Sequence, residues 1–302
     1  INTVNAKGIL PPGHALHAGE NMAWPPLREA LREADVVLAL GTEFGETEMY
    51  PDPQPLRFDG RLIRVDIDPE QLVRGFPADV PIVADARLAA AALLHAVDGP
   101  SIRGGAARAA YLRAQVAELW WPAVATHRRL LGIVQAALPD VVIVGDQTQP
   151  VYAGNQFYAP VGPRAWFNSS TGYGTLGYAL PAAIGAKLAA PGVPVVALIG
   201  DGGLQFTLPE LASAVEAKAP VVVLVWNNQG YGEIKTYMAE KGIPEIGVDI
   251  YTPDLPAIAR AYGCAGDVAT SREQLRELLL AAAARPVPSL IEVREGAPFL
   301  EM

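Results

Sequence analysis

Two short motifs with metal-binding chemistry follow two strongly apolar segments of this 302-residue chain. The first motif is Gly200-Asp201-Gly202, directly after the apolar residues 195–199. The second is Asn227-Asn228, directly after the apolar residues 221–226, with 24 residues between the two motifs. A carboxylate, an amide oxygen and backbone carbonyls suit a hard cation such as Mg2+, whose remaining ligands would be phosphate oxygens and water. The glycines leave backbone N–H groups that can approach a phosphate closely.

Both apolar segments predict buried β-strands, and the alternation of strands with helices along the chain predicts that they pair in parallel. Parallel strands present their carboxyl ends at one edge of the sheet, where ligands bind in open α/β folds. The two motifs are therefore expected to lie side by side. Alone, the glycine-flanked Asp201 is equally consistent with a helix cap in a βα turn. The strand before each motif and the pair of asparagines favour the metal site.

The chain as a whole predicts an α/β fold class with two parallel-sheet, doubly wound domains. The first domain covers residues 1–98, a glycine-rich linker with a connecting helix covers 99–121, and the second domain covers 122–302. Strands are predicted at residues 36–40, 62–68, 77–83, 141–144, 165–168, 195–199, 221–226 and 290–293, and residues 1–4 are predicted as a short strand or its exit. Helices are predicted at residues 27–34, 86–97, 106–119, 127–138, 176–190, 208–217, 254–262 and 272–284.

Composition excludes several classes of protein. The net charge is −9 and the basic residues are scattered, which argues against a nucleic-acid partner or an anionic membrane surface. No run of 18 uncharged apolar residues predicts a membrane span. The single cysteine, Cys264, excludes an internal disulfide framework and favours a cytoplasmic location. The histidines show no metal-ligand spacing; they are His14, His17, His95 and His127.

The two motifs together resemble the signature of thiamine-diphosphate (ThDP) enzymes, the family of acetolactate synthase, benzoylformate decarboxylase and pyruvate decarboxylase. The resemblance implies ThDP and Mg2+ as cofactors, with the cation anchoring the diphosphate. The implied metal ligands are the Asp201 carboxylate, the Asn228 side chain and the Gly230 carbonyl. The implied cofactor contacts in the same loops are Gly200, Gly202, Gly203 and Tyr231. Many members carry serine at the position of Gly203, so one hydroxyl contact to phosphate is missing here.

A glycine-rich turn at residues 172–177 precedes a helix of small residues. From the residues alone, this turn is also consistent with simple close packing of a helix on a sheet. In the family the turn holds the aminopyrimidine of the cofactor. The resemblance implies that the Gly174 carbonyl accepts from the exocyclic amine and that Leu176 is the apolar wedge beneath the thiazolium. The bent cofactor then has its amine beside the thiazolium C–H that must lose its proton.

Residues 145–149 follow a predicted strand at the same sheet edge. By position they resemble the family loop that contacts the diphosphate. Thr148 and Gln149 are therefore candidate phosphate donors, and a solvated polar loop is the alternative.

Glu233 lies just beyond the asparagine motif, where family members direct side chains at the reacting substrate. A carboxylate in such a pocket is unfavourable unless it meets a cation or takes up a proton. Glu233 is therefore a candidate catalytic acid/base group or a candidate anchor for a cationic substrate tail. The third interpretation is a solvated glutamate in the first turn of a helix.

Residues 166–174, 226–235 and 247–251 resemble the branch of the family that decarboxylates 5-guanidino-2-oxopentanoate. The expected function is therefore decarboxylation of a small 2-oxo acid, within a homodimer or homotetramer of the full-length enzyme. An acetolactate-synthase-like carboligase is the alternative within the family. A non-catalytic nucleotide-binding or dimerisation module is the alternative from another class, although the chain lacks the Gly-x-Gly-x-x-Gly fingerprint.

The chain begins at Ile1 in what looks like the middle of a domain, and we expect it to be a C-terminal fragment of a longer enzyme. The family also needs a glutamate that protonates the pyrimidine ring. This residue belongs to an N-terminal pyrimidine-binding domain, usually donated by a partner subunit. The isolated chain is therefore expected to bind Mg2+ and diphosphate weakly and to be inactive by itself.

Overall fold

The computed structural model describes residues 1–49, 56–97, 103–119 and 122–301. The chain divides into two compact units, Ile1–Ala6 with Gly13–Trp120 and Lys7–Pro12 with Trp121–Met302. In the predicted linker, residues 99–102 and 120–121 lie outside the described residues, as does residue 98. The predicted domain and linker boundaries stay predictions. No helix within the described ranges is both long enough and apolar enough to cross a membrane.

Within its described residues, the first unit contains a sheet in the order β1-β2-β3. Its strands are parallel, as the sequence predicts. The strands are β1 (Val36–Leu40), β2 (Arg61–Asp66) and β3 (Val80–Val83). The helices are α1 (Pro25–Arg32), α2 (Glu46–Met49), α3 (Ala86–Ala96) and α4 (Gly105–Glu118), with a 3-10 turn at Val4–Ala6. The prediction of a strand at residues 1–4 was wrong, since the Val4 N–H donates to the buried Glu48 Oε1 at 2.9 Å and not to a neighbouring strand.

The second unit contains, among its described residues, a fully parallel sheet in the order β5-β4-β6-β7-β9-β8. The strands are β4 (Val142–Gly145), β5 (Trp166–Asn168), β6 (Val195–Gly200), β7 (Val222–Asn227), β8 (Ala265–Val268) and β9 (Ser289–Arg294). The helices are α5 (Pro122–Ala137), α6 (Gln149–Phe157), α7 (Ala179–Ala189), α8 (Asp201–Gln205), α9 (Glu210–Glu216), α10 (Gly232–Glu240), α11 (Leu255–Ala261), α12 (Arg272–Ala284) and α13 (Pro298–Glu301), with a 3-10 turn at Ser169–Thr171.

Helices cover both faces of this second sheet. One face packs against α7, α9 and α11 through a cluster that includes Ala197, Val223 and Leu255. Helices α6 and α12 contact the other face, and α5 packs against both of these helices. The central strands β6 and β7 are therefore buried along almost their whole length, which explains their continuous apolar sequences. The predicted α/β class with parallel sheets is confirmed.

Several predicted elements differ from the structure, and two of the differences have local reasons. The predicted helix at 176–190 begins only at Ala179, because Gly177 has a left-handed φ of 83° that a helix cannot contain. The strand β8 was missed because its sequence, Ala265-Gly266-Asp267-Val268, has no apolar run. It lies at the edge of the sheet and needs no such run.

Alanine substitutions at Gly177, just before α7, and at Gly185, within α7, should have opposite effects on stability. Gly177→Ala should destabilise the protein by about 1–3 kcal/mol, because the residue has positive φ and its Cβ would lie 2.8 Å from Thr207 Cγ2. Gly185 is exposed within α7, with nothing within 4 Å of an added Cβ. Gly185→Ala should therefore stabilise by about 0.5–1 kcal/mol. Urea denaturation of both variants checks this, and equal shifts in one direction would contradict it.

Candidate functional site

The candidate site lies in the second unit, at the carboxyl ends of β4, β6 and β7. Strand β6 pairs with β4 on one side and with β7 on the other, and Gly200 at its end pairs with Trp226. The chain leaves β4 toward β5 in one direction and returns to β6 in the other, so the strand order reverses here. Ligands of open parallel sheets bind at such reversals. The strands before the two motifs end side by side, as the sequence predicts.

Two oxygen atoms from the motifs and the carbonyl oxygen of Gly230, two residues beyond the second motif, converge at this edge. The position of Asn228 Oδ1 lies 2.9 Å from the Gly230 carbonyl oxygen and 3.2 Å from Asp201 Oδ1. Adjacent oxygen ligands of an octahedral Mg2+ site with ~2.1 Å bonds are about 3.0 Å apart. The spacing therefore fits a single cation. Without a cation, these acceptors would face one another with no donor between them unless the Asn228 amide reversed.

The turn after β7 is fixed by buried polar contacts. Asn227 Nδ2 donates to Glu292 Oε1 of β9 at 3.1 Å, and Asn227 Oδ1 accepts from the Gln229 N–H at 3.0 Å. Gln229 has a left-handed φ of 60°, which bends the chain immediately after the strand. This bend brings the Gly230 carbonyl beside the Asn228 side chain.

Asp201 is the first residue of α8, and only 1% of its surface is exposed. Burial raises the pKa of its carboxyl, and hydrogen bonds from Thr252 and from backbone N–H groups partly offset that rise. Thr252 Oγ1 donates to Asp201 Oδ2 at 2.5 Å, and the Asn228 N–H donates to Oδ1 at 3.4 Å. A cation at Oδ1 would supply the positive charge that favours a buried carboxylate. Sequence reasoning missed Thr252, which belongs to no motif.

A cavity of about 210 Å³ opens beside these oxygens. The predicted site residues in its lining are Thr148, Gln149, Gly174, Leu176, Gly200, Gly202, Gly203, Asn228, Gly230, Tyr231 and Glu233. Asp201 is not part of the lining, because its side chain is buried. The lining residues that sequence reasoning did not assign to the site are Gln147, Tyr152, Gly232 and Ile234. Each lies within three residues of a predicted one, and that proximity was the available signal.

Gly202 packs so closely against its neighbours that only a glycine fits at this position. A Cβ added at Gly202 would lie 2.7 Å from the Tyr231 ring and 3.1 Å from Ile250. Any other residue would have to displace these side chains at the wall of the cavity. The close packing therefore explains a glycine at this position independently of a ligand.

A buried carboxylate at the end of β4 holds the glycine-rich turn. Asp146 has no exposed surface, and its oxygens accept from the Gln147 N–H at 2.7 Å and the Ala179 N–H at 3.1 Å. Burial raises the pKa of Asp146, and these backbone N–H groups oppose the rise. Asp146 thus joins the loop after β4 to the start of α7, which places Gly174 and Leu176 at the cavity.

The loop after β4 contributes both predicted phosphate contacts to the cavity lining. Thr148 precedes α6 without forming a side-chain cap, so its hydroxyl can serve a bound anion. Gln149 is the first residue of α6, and its Oε1 accepts from Trp226 Nε1 at 3.0 Å. The prediction of a loop through residue 149 was wrong at its end, because a helix begins there with Pro150 in its first turn. The phosphate contacts themselves stay predictions.

Glu233 lies in the first turn of α10 with its side chain exposed at the cavity. Desolvation, followed by the charge of Glu240, raises the pKa of its carboxyl. Lys235 does not neutralise it, because the Lys235 Nζ pairs with Asp249 at 2.7 Å and with Glu245 at 3.4 Å. A cationic ligand would therefore meet a carboxylate at this wall of the cavity.

His127 of α5 is buried against Trp226, with the ring centroids 5.0 Å apart in an edge-to-face arrangement. Burial lowers the pKa of His127 to about 4. The unfolded chain binds this proton near pH 6.5 and the folded chain only near pH 4, so stability should fall as the pH decreases between these values. The loss from pH 7.5 to 4.5 should be smaller by about 2.5 kcal/mol in His127→Phe than in the wild type. Urea denaturation at both pH values measures the difference, and identical losses would contradict it.

The described residues contain neither a His, Cys, Asp or Glu cluster for a second metal ion nor a reactive thiol. The described part of the chain has no group of three or more His, Cys, Asp or Glu side chains that could hold a metal ion. The converging oxygens therefore form a site of one carboxylate, one amide and one carbonyl. Cys264 is buried, and burial raises the pKa of its thiol to about 11, so the unreactive thiol form prevails at neutral pH.

Comparison with known proteins gives two family matches. Residues 146–293 match the family described as thiamine pyrophosphate enzyme, C-terminal TPP binding domain. Residues 1–93 match the thiamine pyrophosphate enzyme, central domain.

Curated relatives have names from the same family. The probable 2-ketoarginine decarboxylase AruI of Pseudomonas aeruginosa is 42% identical over 98% of this chain and 53% of the relative. Acetolactate synthase of Mycobacterium bovis is 30% identical over 98% of this chain and 51% of the relative. The chain thus spans about half the length of the curated relatives it matches.

A solved structure agrees with these matches. The thiamine diphosphate-dependent 4-hydroxybenzoylformate decarboxylase of Rhodococcus jostii RHA1 aligns with a TM-score of 0.71 and 26% identity, over 97% of this chain and 55% of that one. The resemblance predicted from the two motifs is confirmed. This chain belongs to the thiamine pyrophosphate enzymes, and it matches their central domain and their C-terminal TPP-binding domain.

Proposed function

We propose that this chain forms the Mg2+- and ThDP-binding part of a 2-oxo acid decarboxylase. The observation that carries the proposal is that Asp201 Oδ1 and the Gly230 carbonyl oxygen both lie within 3.2 Å of the Asn228 amide at a sheet edge. Amide and carbonyl oxygens with one carboxylate are a donor set for a hard cation. The adjoining cavity is lined by glycines, by Thr148 and by the apolar Leu176, which suits a diphosphate with an apolar ring system.

The residues present fit the cofactor, and each has a proposed role. Asp201, Asn228 and Gly230 would hold Mg2+. The backbone N–H groups of Gly202 and Gly203, with Gly200, Thr148, Gln149 and Tyr231, would contact the diphosphate. Gly174 and Leu176 would position the ring system. Bound ThDP supplies an electron sink for the bond that breaks when CO2 leaves a 2-oxo acid.

Calorimetry with ThDP and Mg2+, beside NAD and ADP, tests the proposed cofactor. We expect ThDP to bind in a Mg2+-dependent manner and neither nucleotide to bind at the same concentration. Binding of NAD or ADP in preference to ThDP would favour a nucleotide-binding module and would overturn the proposal. Release of CO2 from 2-oxo acids by the full-length enzyme then tests the reaction class.

For the substrate we propose 5-guanidino-2-oxopentanoate, which is 2-ketoarginine. Two observations support it. The relative AruI, 42% identical to this chain, is named a probable 2-ketoarginine decarboxylase. Glu233 places a carboxylate at the cavity, where a guanidinium could form a bidentate pair. In this proposal Glu233 anchors the substrate tail.

A carboligase of the acetolactate synthase type is the second candidate, because a 30% identical relative carries that name. The two reactions differ in whether a proton or a second carbonyl compound completes the reaction. Product analysis of the full-length enzyme with pyruvate alone decides between them. Accumulation of acetolactate, with no free aldehyde, would favour the carboligase.

We also propose the domain and subunit organisation. Residues 1–98 would be part of the central domain, 99–121 a linker with its helix, and 122–302 the diphosphate-binding domain. The full-length enzyme would be a homodimer or homotetramer, in which a partner subunit supplies the activating glutamate. Light scattering of the full-length enzyme measures the subunit number, and a monomeric active enzyme would contradict this organisation.

A further inference from the structure

The Asn228 side chain can adopt two orientations that differ in which end of the amide faces Asp201. In one, Oδ1 lies 2.9 Å from the Gly230 carbonyl oxygen and 3.2 Å from Asp201 Oδ1. In the other, the amide nitrogen occupies that position and donates to both oxygens. Only the first can bind a cation, because an amide NH2 group donates hydrogen bonds and does not accept them. A functional metal site therefore needs a contact that sets the orientation of this amide.

Gln149 provides a contact at the opposite end of the amide. Its Oε1 lies 3.4 Å from Asn228 Nδ2 and 3.0 Å from the indole Nε1 of Trp226. An indole nitrogen is a donor only, so Gln149 must present its carbonyl oxygen to Trp226. The same oxygen then faces the Asn228 amide. A reversed Asn228 would place its Oδ1 against this oxygen, although its nitrogen would donate to the Gly230 and Asp201 oxygens. The Gln149 contact therefore opposes a reversal that the metal-free site otherwise favours.

Trp226 is itself fixed by packing and not by the amide. It is the penultimate residue of β7, and only 1% of its surface is exposed. The His127 ring packs edge-to-face against it, with 5.0 Å between the centroids. The direction of the indole N–H is therefore set by the core, independently of any ligand.

We propose that Trp226 and Gln149 are positioning residues that hold the amide oxygen of Asn228 toward the cation. The indole N–H fixes the orientation of Gln149, and Gln149 fixes the orientation of Asn228. This inference rests on the proposed Mg2+ site and adds to it two residues that do not bind the metal. It gives Gln149 a role besides the predicted contact with phosphate.

Trp226→Phe tests the inference, because it removes the indole N–H and keeps an aromatic ring against His127. We expect Mg2+ affinity at saturating ThDP, measured by calorimetry, to fall about 10-fold, as for other contacts that orient metal ligands. The melting temperature of the metal-free protein should change little by comparison. Gln149→Leu should cause a similar loss of affinity, and it replaces the test if Trp226→Phe does not fold.

Repeating Trp226→Phe in an Asn228→Asp variant distinguishes a loss of amide orientation from a loss of packing around the indole. A carboxylate has oxygen at both ends, so no contact is needed to orient it. In this background Trp226→Phe should cost no Mg2+ affinity, and it should increase affinity if the released Gln149 turns its NH2 toward the carboxylate. Equal losses in both backgrounds, or no loss in the wild-type background, would overturn the inference. These measurements use the full-length enzyme, and absence of Mg2+ binding by its wild type would instead overturn the proposed function.

Discussion

Asp201→Asn should weaken Mg2+ binding in the presence of ThDP by about 100-fold or more, because affinity for hard cations follows the number of charged ligands. Asp201 supplies the only carboxylate among the three converging oxygens, and the asparagine would keep the shape of the side chain but not its charge. ThDP should bind correspondingly weakly, since the cation anchors its diphosphate. Calorimetry with Mg2+ at fixed ThDP measures the effect.

The metal-free stability of this variant should not fall in parallel. Asp201 is a buried carboxylate, and removing its charge also removes the free-energy penalty of burying that charge. Thr252→Val is the matched control, since it deletes only the hydroxyl that donates to Asp201 Oδ2 at 2.5 Å. We expect about a 10-fold loss of Mg2+ affinity for that control. An Asp201→Asn protein that binds Mg2+ within threefold of the wild type would show that this edge of the sheet is not the metal site.

Glu233→Gln should reduce kcat/KM for 5-guanidino-2-oxopentanoate by roughly 30- to 1000-fold, corresponding to about 2–4 kcal/mol for the loss of one partner of a charged pair. The glutamine keeps the size of the side chain and can still accept a hydrogen bond, but it cannot neutralise a guanidinium. For a 2-oxo acid with an uncharged side chain of similar length, such as 2-oxooctanoate, the loss should be less than about threefold, since no charged pair is broken. Steady-state kinetics of the full-length enzyme with both substrates measures the ratio.

Glu240→Gln is the matched control for this ratio. It removes the same charge from the same helix, but Glu240 acts on Glu233 only through its charge and is not part of the cavity lining. The control should change kcat/KM for either substrate by less than about threefold. Equal losses for the charged and the neutral substrate in Glu233→Gln would refute the anchor role and would favour an acid/base role.

The pH dependence separates the anchor role from the role of a general acid. The pKa of Glu233 is raised by desolvation and by the charge of Glu240. A guanidinium anchor requires the ionised carboxylate, so kcat/KM for the guanidino acid should increase as the pH rises through this raised pKa. A general acid requires the protonated form, and the rate should then decrease over the same interval.

Several elements were predictable because their signals are local. The helix α12 (Arg272–Ala284) occupies the predicted residues, since Ser271 caps it by accepting from the Gln274 N–H at 3.1 Å and its apolar residues recur at helical spacing. The strands β6 and β7 were predicted from continuous apolar runs, which are typical of strands covered on both faces. The start of α6 had an unused signal, Pro150 in the first turn of the helix. The edge strand β8 had none, because Ala265-Gly266-Asp267-Val268 has no apolar pattern.

The amino-acid sequence by itself determined which residue types stand at the ends of two parallel strands, and thereby the cofactor chemistry. Residue type and strand position are properties of short segments, so they can be recognised without knowing the neighbours. Only the tertiary structure decided how those residues are held: Thr252 contacts Asp201, Glu292 contacts Asn227, Trp226 contacts Gln149, and Gln149 contacts Asn228. These four contacts join residues 51 to 79 positions apart, and each depends on which strands are adjacent and on the direction of single donor groups. Neither strand adjacency nor donor direction produces a periodic pattern in the sequence.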